Sequence, residues 1–308
     1  MKRRFQPWQL AALVILLCGG AVWLAHWWRA SRHMDAKALV ECLPRDRSTH
    51  VYIDVDTLRR SGLLDLVAGS QAEEAPDYRH FVDQTGFDYR TDLDAVAAGF
   101  TGGDVYLVLR GRFDWKQLAK YARDQKGNCR NAICDMPAST PDRHISFYPL
   151  KYDVLALAVT RQDRDVSMIG PGQWPNPPQL PPEPVWISAP SFAFADVNNL
   201  PAGTHAFLSP LAQAQNIVFA IGPEGNRLQI RLDVACANPE SAAAVAAQMT
   251  ATTGLLKKML ERDHMTPSAG DLSGVLVAGA FQQKDQRVVG TWPVERAFVE
   301  ALASGKAQ

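Results

Sequence analysis

The chain has 308 residues, 47% of them hydrophobic, with 8 Trp, 7 Tyr and 12 Phe; this excludes intrinsic disorder as the overall description and suits more than one average domain. Its 32 Lys and Arg balance 32 Asp and Glu, so it lacks the clustered basic excess of a nucleic-acid binder. Five cysteines are too few for a disulfide-dense mini-domain or a set of structural zinc sites.

Lys2, Arg3 and Arg4 precede an apolar run from Trp8 to Trp28, 21 residues without a formal charge. At 1.5 Å per helical residue this run reaches roughly 31 Å, the thickness of a hydrocarbon layer. Trp8 marks one edge and Trp23, Trp27 and Trp28 the other, where indole rings favour the headgroup region. The reading is a single transmembrane helix over 8–28 after a short basic cytoplasmic tail over 1–7, with the lipid bilayer as its partner. A cleaved signal peptide is the alternative, with Gly19 and Ala21 as the small residues before the cut. The apolar run continues past them, which suits retention. A lipoprotein signal at Cys18 meets Leu17 where a small residue is wanted. The basic tail argues for an inner-membrane protein with an extracytoplasmic, periplasmic C-terminal body, although Arg29, Arg32 and Lys37 on the other flank weaken that vote. Five of the basic residues and no acid lie in 1–34, so the remainder carries 27 against 32, a net of minus five. Nothing in the body is built to lie on anionic lipid.

A first α+β domain is expected over 35–169. Val51–Val55 alternates as a strand, and Leu58–Val67 has helical spacing. Asp77 is placed to cap a helix through Phe81 and Val82, and Thr91 or Asp92 a second through Val96. Gly102-Gly103 turns the chain into a strand over 104–110. Asp114 with Gln117 three residues on forms a helix start, followed by Leu118, Tyr121 and Ala122. His144–Leu150 and Val154–Thr160 read as a hairpin.

Cys129 and Cys134 have a C-x4-C spacing, unlike the C-x2-C of a redox or zinc motif. With Cys42 and Cys236 they allow three pairings, of which a local 129–134 bridge with a long 42–236 bridge is favoured. The alternative is four buried thiols acting as small hydrophobes, and Cys236 fits it by continuing an apolar alternation.

Residues 170–184 hold seven of the 20 prolines, so this stretch is an extended linker, unfit for helix or central strand. A second α+β domain follows over 185–308. Ile217–Ile221 and Leu228–Cys236 flank the turn Pro223-Glu-Gly-Asn226. Leu228, Ile230, Leu232, Val234 and Cys236 share one strand face, opposite Gln229, Arg231 and Asp233, as in an antiparallel sheet backed by helices. Asn238 caps and Pro239 opens a long helix through Leu260. A hairpin of Val275–Phe281 with Val288–Trp292 precedes a last helix over 295–302. The fold class is therefore α+β: two antiparallel-sheet-plus-helix halves behind the N-terminal helix, whose loosely repeated plan suggests a duplication.

The motifs that carry chemistry are few. Gly102-Gly103-Asp104 resembles the GG[DE] turn of cyclic-dinucleotide synthases, but Val-Tyr-Leu follows, and a glycine turn opening a strand explains it. Asp88, Asp92 and Asp94 lack calcium-loop spacing and read as caps and turns. Asp54 and Asp56 share a strand face and could hold a metal, against a plain solvated edge. His26, His33, His50, His80, His144, His205 and His264 are scattered without a zinc spacing. No Gly-x-Ser-x-Gly elbow, Ser-x2-Lys or phosphate-cradling loop occurs. No catalytic, cofactor-binding or metal residue is assigned, and no cofactor is expected. Trp174, Trp186 and Trp292 lie in apparent loops, as a binding surface or, as is commoner for such rings, buried.

Tyr78–Asp94, Gly102–Tyr106 and Gly111-Arg-Phe-Asp-Trp115, extended by Val51–Arg59, Cys129–Cys134, Ile145–Phe147 and Gly290–Pro293, together resemble a family of membrane-anchored acidobacterial proteins. The likeness covers most of 40–300 and is similar, more distantly, to bacterial families in which an anchor precedes repeated strand–helix units. It brings no catalytic residues. The resulting expectation is a non-catalytic binding or scaffolding module of the cell envelope, with an envelope protein as a further partner. The alternative is a hydrolase-like envelope enzyme using dispersed Asp and His residues.

Overall fold

The part of the chain before the expected linker supplies β1 (Thr49–Ile53), β2 (Leu93–Thr101), β3 (Asp104–Gly111), β4 (Asn128–Arg130), β5 (Ile133–Pro137), β6 (His144–Lys151) and β7 (Val154–Thr160). The part after it supplies β8 (Val185–Pro190), β9 (Asn216–Glu224), β10 (Arg227–Ala235), β11 (Ala280–Lys284) and β12 (Arg287–Val294). All twelve join one sheet, in the order β11-β12-β10-β9-β8-β1-β2-β3-β7-β6-β5-β4. Every pairing is antiparallel. The protein is thus an α+β chain built on a large antiparallel sheet. The structure, a computed structural model, describes residues 33–45, 48–64, 76–174, 179–194, 208–225, 227–264, 266–268 and 270–303. It divides the chain at Asp35, and the unit from Ala36 onward carries all twelve strands. The expected membrane helix over 8–28 lies outside the described residues. Among those described, no helix is long and apolar enough to cross a membrane.

The sheet runs unbroken past the proline-rich stretch, because β1 pairs with β8, Tyr52 opposite Trp186. Alternate side chains of a strand point to opposite faces. One row of directly opposed residues therefore defines a face: Cys134, Phe147, Leu157, Leu107, Ala98, Val51, Ile187, Phe219 and Leu232. The main helices cover this face. Leu118 and Ala122 of α5 pack on Phe147 and Leu155. Val55 and Leu58 of α2 pack with Ile53 and Val96. Val245 and Met249 of the long α6 pack on Ile217, Leu232 and Val234, joined by Phe298 and Val299 near the C-terminus. In chain order the helices are α1 (Ala36–Val40), α2 (Val55–Arg60), α3 (Pro76–Thr85), α4 (Tyr89–Asp92), α5 (Trp115–Asp124), α6 (Pro239–Arg262), α7 (Leu272–Val277) and α8 (Arg296–Ala303).

Helix starts follow side-chain chemistry. Asp54, Asp114 and Asn238 each accept a backbone N–H of the first turn, satisfying donors that have no partner within the helix. Several expectations need correction: Val55 opens α2 rather than ending β1, so Asp54 and Asp56 share no strand face, and Asp77 lies inside α3 rather than capping it. The residues after Asp92 form β2 rather than a helix through Val96, although alanine favours helix. Ala95, Ala97 and Ala98 are buried between β1 and β3, and tertiary packing overrides propensity. Val275–Val277 belongs to α7, and the strand begins only at Ala280. Gly279 marks the break, where an added Cβ would lie 2.6 Å from Trp292 Nε1. Strands β4, β5 and β8 have no clear signal in the sequence. The first two are too short, and β8 too proline-flanked, for a clear alternation.

Candidate functional site

The other face of the sheet is covered differently. Over β2 and β3 lies the segment from α1 to Pro44, tied down by Gly170 N–H donating to Cys42 O (3.0 Å) and Trp174 Nε1 donating to Leu43 O (2.8 Å). Beyond it, over β1, β8, β9, β10 and β12, the face forms a cavity of about 800 Å³. Its floor follows from the register. One row runs His50, Ser188, Val218, Asp233, and the next runs Tyr52, Trp186, Ala220, Arg231. Val218 and Ala220 on β9 are small, so a trough opens between the Trp186 side and the Arg231 side. Pro181 and Pro182 close its rim and separate it from a second hollow of about 580 Å³ lined by Tyr52, Asp54 and Gln229.

The aromatic walls are fixed. Trp186, 2% exposed, stacks on Tyr52 with centroids 5.8 Å apart. Trp174 meets His50 edge to face at 4.8 Å, and the Arg45 guanidinium lies 5.9 Å from the Trp174 ring centre. His50 Nε2 donates to Pro44 O at 3.0 Å, since a carbonyl can only accept. Burial pushes the His50 pKa down, only partly opposed by that hydrogen bond, so the ring is neutral.

The charged groups are arranged in pairs. Arg287 holds Asp233 through Nε (2.8 Å) and Nη2 (2.7 Å), a two-point contact that raises the arginine pKa further. Arg231 Nη1 donates to Glu183 Oε1 at 3.0 Å. Two polar atoms here are shut off from solvent without a hydrogen-bond partner, Trp186 Nε1 and Glu183 Oε2. The sequence signal for this site was the polar face of β10, where Arg231 and Asp233 were visible. The contribution of His50, Ser188 and Asn216 depends on a strand order that no local pattern encodes.

Trp174, Trp186 and Trp292 are all buried, the first two within the cavity wall and the third in the core beneath α6. Cys129 and Cys134 are joined by a disulfide across the β4–β5 hairpin. The long bridge between Cys42 and Cys236 is not formed. Both are buried free thiols, Cys42 beside α1 and Cys236 in the core under α6. Burial raises both pKa values, that of Cys42 to about 11, which keeps them protonated and inert.

Asp88 accepts Arg90 N–H and the Tyr78 hydroxyl, while Asp92 accepts Asp88 N–H and binds Arg112. Burial alone would raise the Asp92 pKa, but these donors together hold it below the usual carboxylate range. Asp94 and Asp56 both pair with Arg59. These acids are caps and ion pairs, and among the described residues no group of three metal-ligating side chains converges. Gly102 and Gly103 form the β2–β3 turn with φ of +56° and +89°, and Asp104 beyond them pairs with Arg143 at 3.0 Å. A third, open hollow of about 620 Å³ carries the row Phe87, Phe113, Trp115, whose neighbouring rings lie 5.1 and 5.5 Å apart.

Neither a protein-family model nor a curated protein matches the chain. Among solved structures it is similar to TP0453. Crystal form III of that protein has 13% identity and a TM-score of 0.49, with 88% of this chain and 97% of that chain covered. Form I gives 12% and 0.49 over the same shares, and form IV gives 14% and 0.46 over 91% and 99%.

Proposed function

We propose that the protein is a membrane-tethered, non-catalytic binding module of the cell envelope, and that the sheet-face cavity is its binding site. In this reading residues 8–28 span the inner membrane once, 1–7 remain in the cytoplasm and the sheet-bearing body stands on the periplasmic side. The uncharged 21-residue run supports the span, and the Cys129–Cys134 disulfide supports an oxidising compartment. The resemblance to anchored acidobacterial proteins supports the same arrangement. The two halves are read as a duplication, each offering strands, a capped helix (α5 or α6) and a later hairpin to one sheet.

The observation that carries the binding reading is the state of the polar groups on the cavity floor. A hydrolase needs a base within hydrogen-bond reach of a nucleophile and of a group that orients it. His50 and Asp233 are the histidine and aspartate that share the cavity, but β8 and β9 lie between their strands. Three strand spacings place their backbones roughly 14 Å apart. His50 is further committed to Pro44 O, and both Asp233 oxygens to Arg287. Such groups are built to orient a ligand rather than to move its protons.

Ala220→Trp places a large ring on the cavity floor and provides the test. Native mass spectrometry of the full chain released from membranes is expected to show a retained non-protein mass that this substitution removes. A C-terminal reporter active only outside the cytoplasm is expected to be active. No retained mass in either protein, or a reporter active only in the cytosol, overturns the reading.

A further inference from the structure

We infer that the cavity recognises an oxyanion, a carboxylate or phosphate group, held between the Arg231 side and the Trp186 side of the trough. The inference rests on the binding reading above and adds the chemistry of the ligand. It follows from an imbalance between donors and acceptors. Asp233 gives both oxygens to Arg287 and Glu183 gives one to Arg231, while the second Glu183 oxygen is buried without a partner. Each guanidinium has five N–H donors, and these contacts use only two of those on Arg287 and one on Arg231. Both arginines keep solvent access, with side chains 56% and 39% exposed.

The carboxylates therefore act as struts. They hold the guanidinium planes in place without exhausting them, which is the preorganisation that planar oxyanion recognition needs. At the opposite rim Arg45 lies over Trp174, and no described acid pairs with it. Cations thus stand on both sides of the trough. Trp186, which lines the cavity and whose buried Nε1 has no acceptor, stands two strands from Arg231 across Ala220. Two strand spacings are about 10 Å, a gap that the indole and the long arginine side chain bridge with room for one small acidic group. A neutral hydroxyl accepts from the same donors but brings no charge to meet the guanidinium groups. An oxyanion meets that charge and accepts on several oxygens at once.

The test is calorimetric titration of the full chain in detergent with inorganic phosphate, with benzoate and with uncharged maltotriose, at matched ionic strength. Binding of phosphate, benzoate or both supports the inference, and the pattern separates a phosphorylated ligand from a carboxylic acid. Glu183→Gln combined with Arg231→Gln removes the pair without leaving a lone buried charge. Loss of one charge-assisted contact should weaken binding about tenfold or more. Anion binding that survives this double substitution unchanged overturns the inference, because the anion then sits elsewhere. Maltotriose binding with no response to either anion overturns the oxyanion but leaves a cavity that binds. Silence toward all three probes removes both readings.

Discussion

His50 and Trp174 meet edge to face at 4.8 Å, and each is tied to the same short segment, His50 through Pro44 O and Trp174 through Leu43 O. The two rings clamp the chain that follows α1 onto the sheet, with a neutral imidazole inside the contact. Burial lowers the folded-state pKa below the ordinary 6.5. Below that value the unfolded chain takes up a proton that the folded chain refuses. Stability from this group is therefore complete above about pH 6.5 and falls as pH drops towards the depressed folded value. The slope approaches about 1.4 kcal/mol per pH unit inside the window. Urea unfolding at stepped pH should show it, and His50→Gln, which keeps a donor for Pro44, should flatten that part of the profile.

Asp54 distinguishes a cap from a metal ligand. Its side chain accepts Thr57 N–H at 2.9 Å, at the start of α2. Asp54→Ala should cost about 1 kcal/mol, while Asp54→Asn should cost only a few tenths. Added divalent cation should leave the melting temperature of the wild type unchanged. A rise in melting temperature that Asp54→Asn abolishes would show that the carboxylate binds metal instead.

The Cys129–Cys134 bridge joins residues only five apart in sequence, directly opposite each other on β4 and β5. A loop this short removes little freedom from the unfolded chain, about 2 kcal/mol by the chain-entropy relation. Replacing both cysteines by serine should lower stability by no more than that. Amide exchange should speed up first in the β4–β5 hairpin, the edge of the sheet. Alkylation in denaturant without reductant should label Cys42 and Cys236 and spare Cys129 and Cys134. A crosslinked 42–236 peptide would contradict the free thiols.

How much of this was legible beforehand divides along a physical line. The caps at Asp54, Asp114 and Asn238 lie within a few residues of the donors they satisfy, and local chemistry is readable. Hairpins such as β6–β7 and β9–β10 were visible for the same reason. The Ala-rich run of β2 was not, because its state depends on being sandwiched between β1 and β3. The cavity was hidden for a stronger reason. His50, Ser188 and Asp233 stand in one row although 45 to 183 residues separate them along the chain, so only the order β1-β8-β9-β10 brings them together. Val275–Val277 shows the remaining ambiguity, since a short apolar run fits a strand or a buried helix equally well.

Gly111 offers a prediction about how the sheet closes over α4. It sits opposite Leu93, where β2 slips register by one residue before Ala95, and its N–H donates to Asp153 O at 2.9 Å. A Cβ added at this position would stand 2.2 Å from Asp92 O, a backbone atom that cannot rotate away. That backbone oxygen also accepts Arg112 N–H at 2.8 Å, and the Asp92 carboxylate holds the Arg112 side chain. Gly111→Ala must therefore push the end of α4 off β3 and break the Arg112 contacts with it. Overpacking of this kind typically costs about 1–3 kcal/mol. The substitution should lower the unfolding midpoint by that amount, and it should release Asp92, moving its carboxyl back towards the ordinary range. Carbon-detected NMR titration of Asp92 in the variant reads the second effect directly. An unchanged midpoint together with an unchanged Asp92 titration would mean that the close approach of Gly111 to Asp92 does not exist.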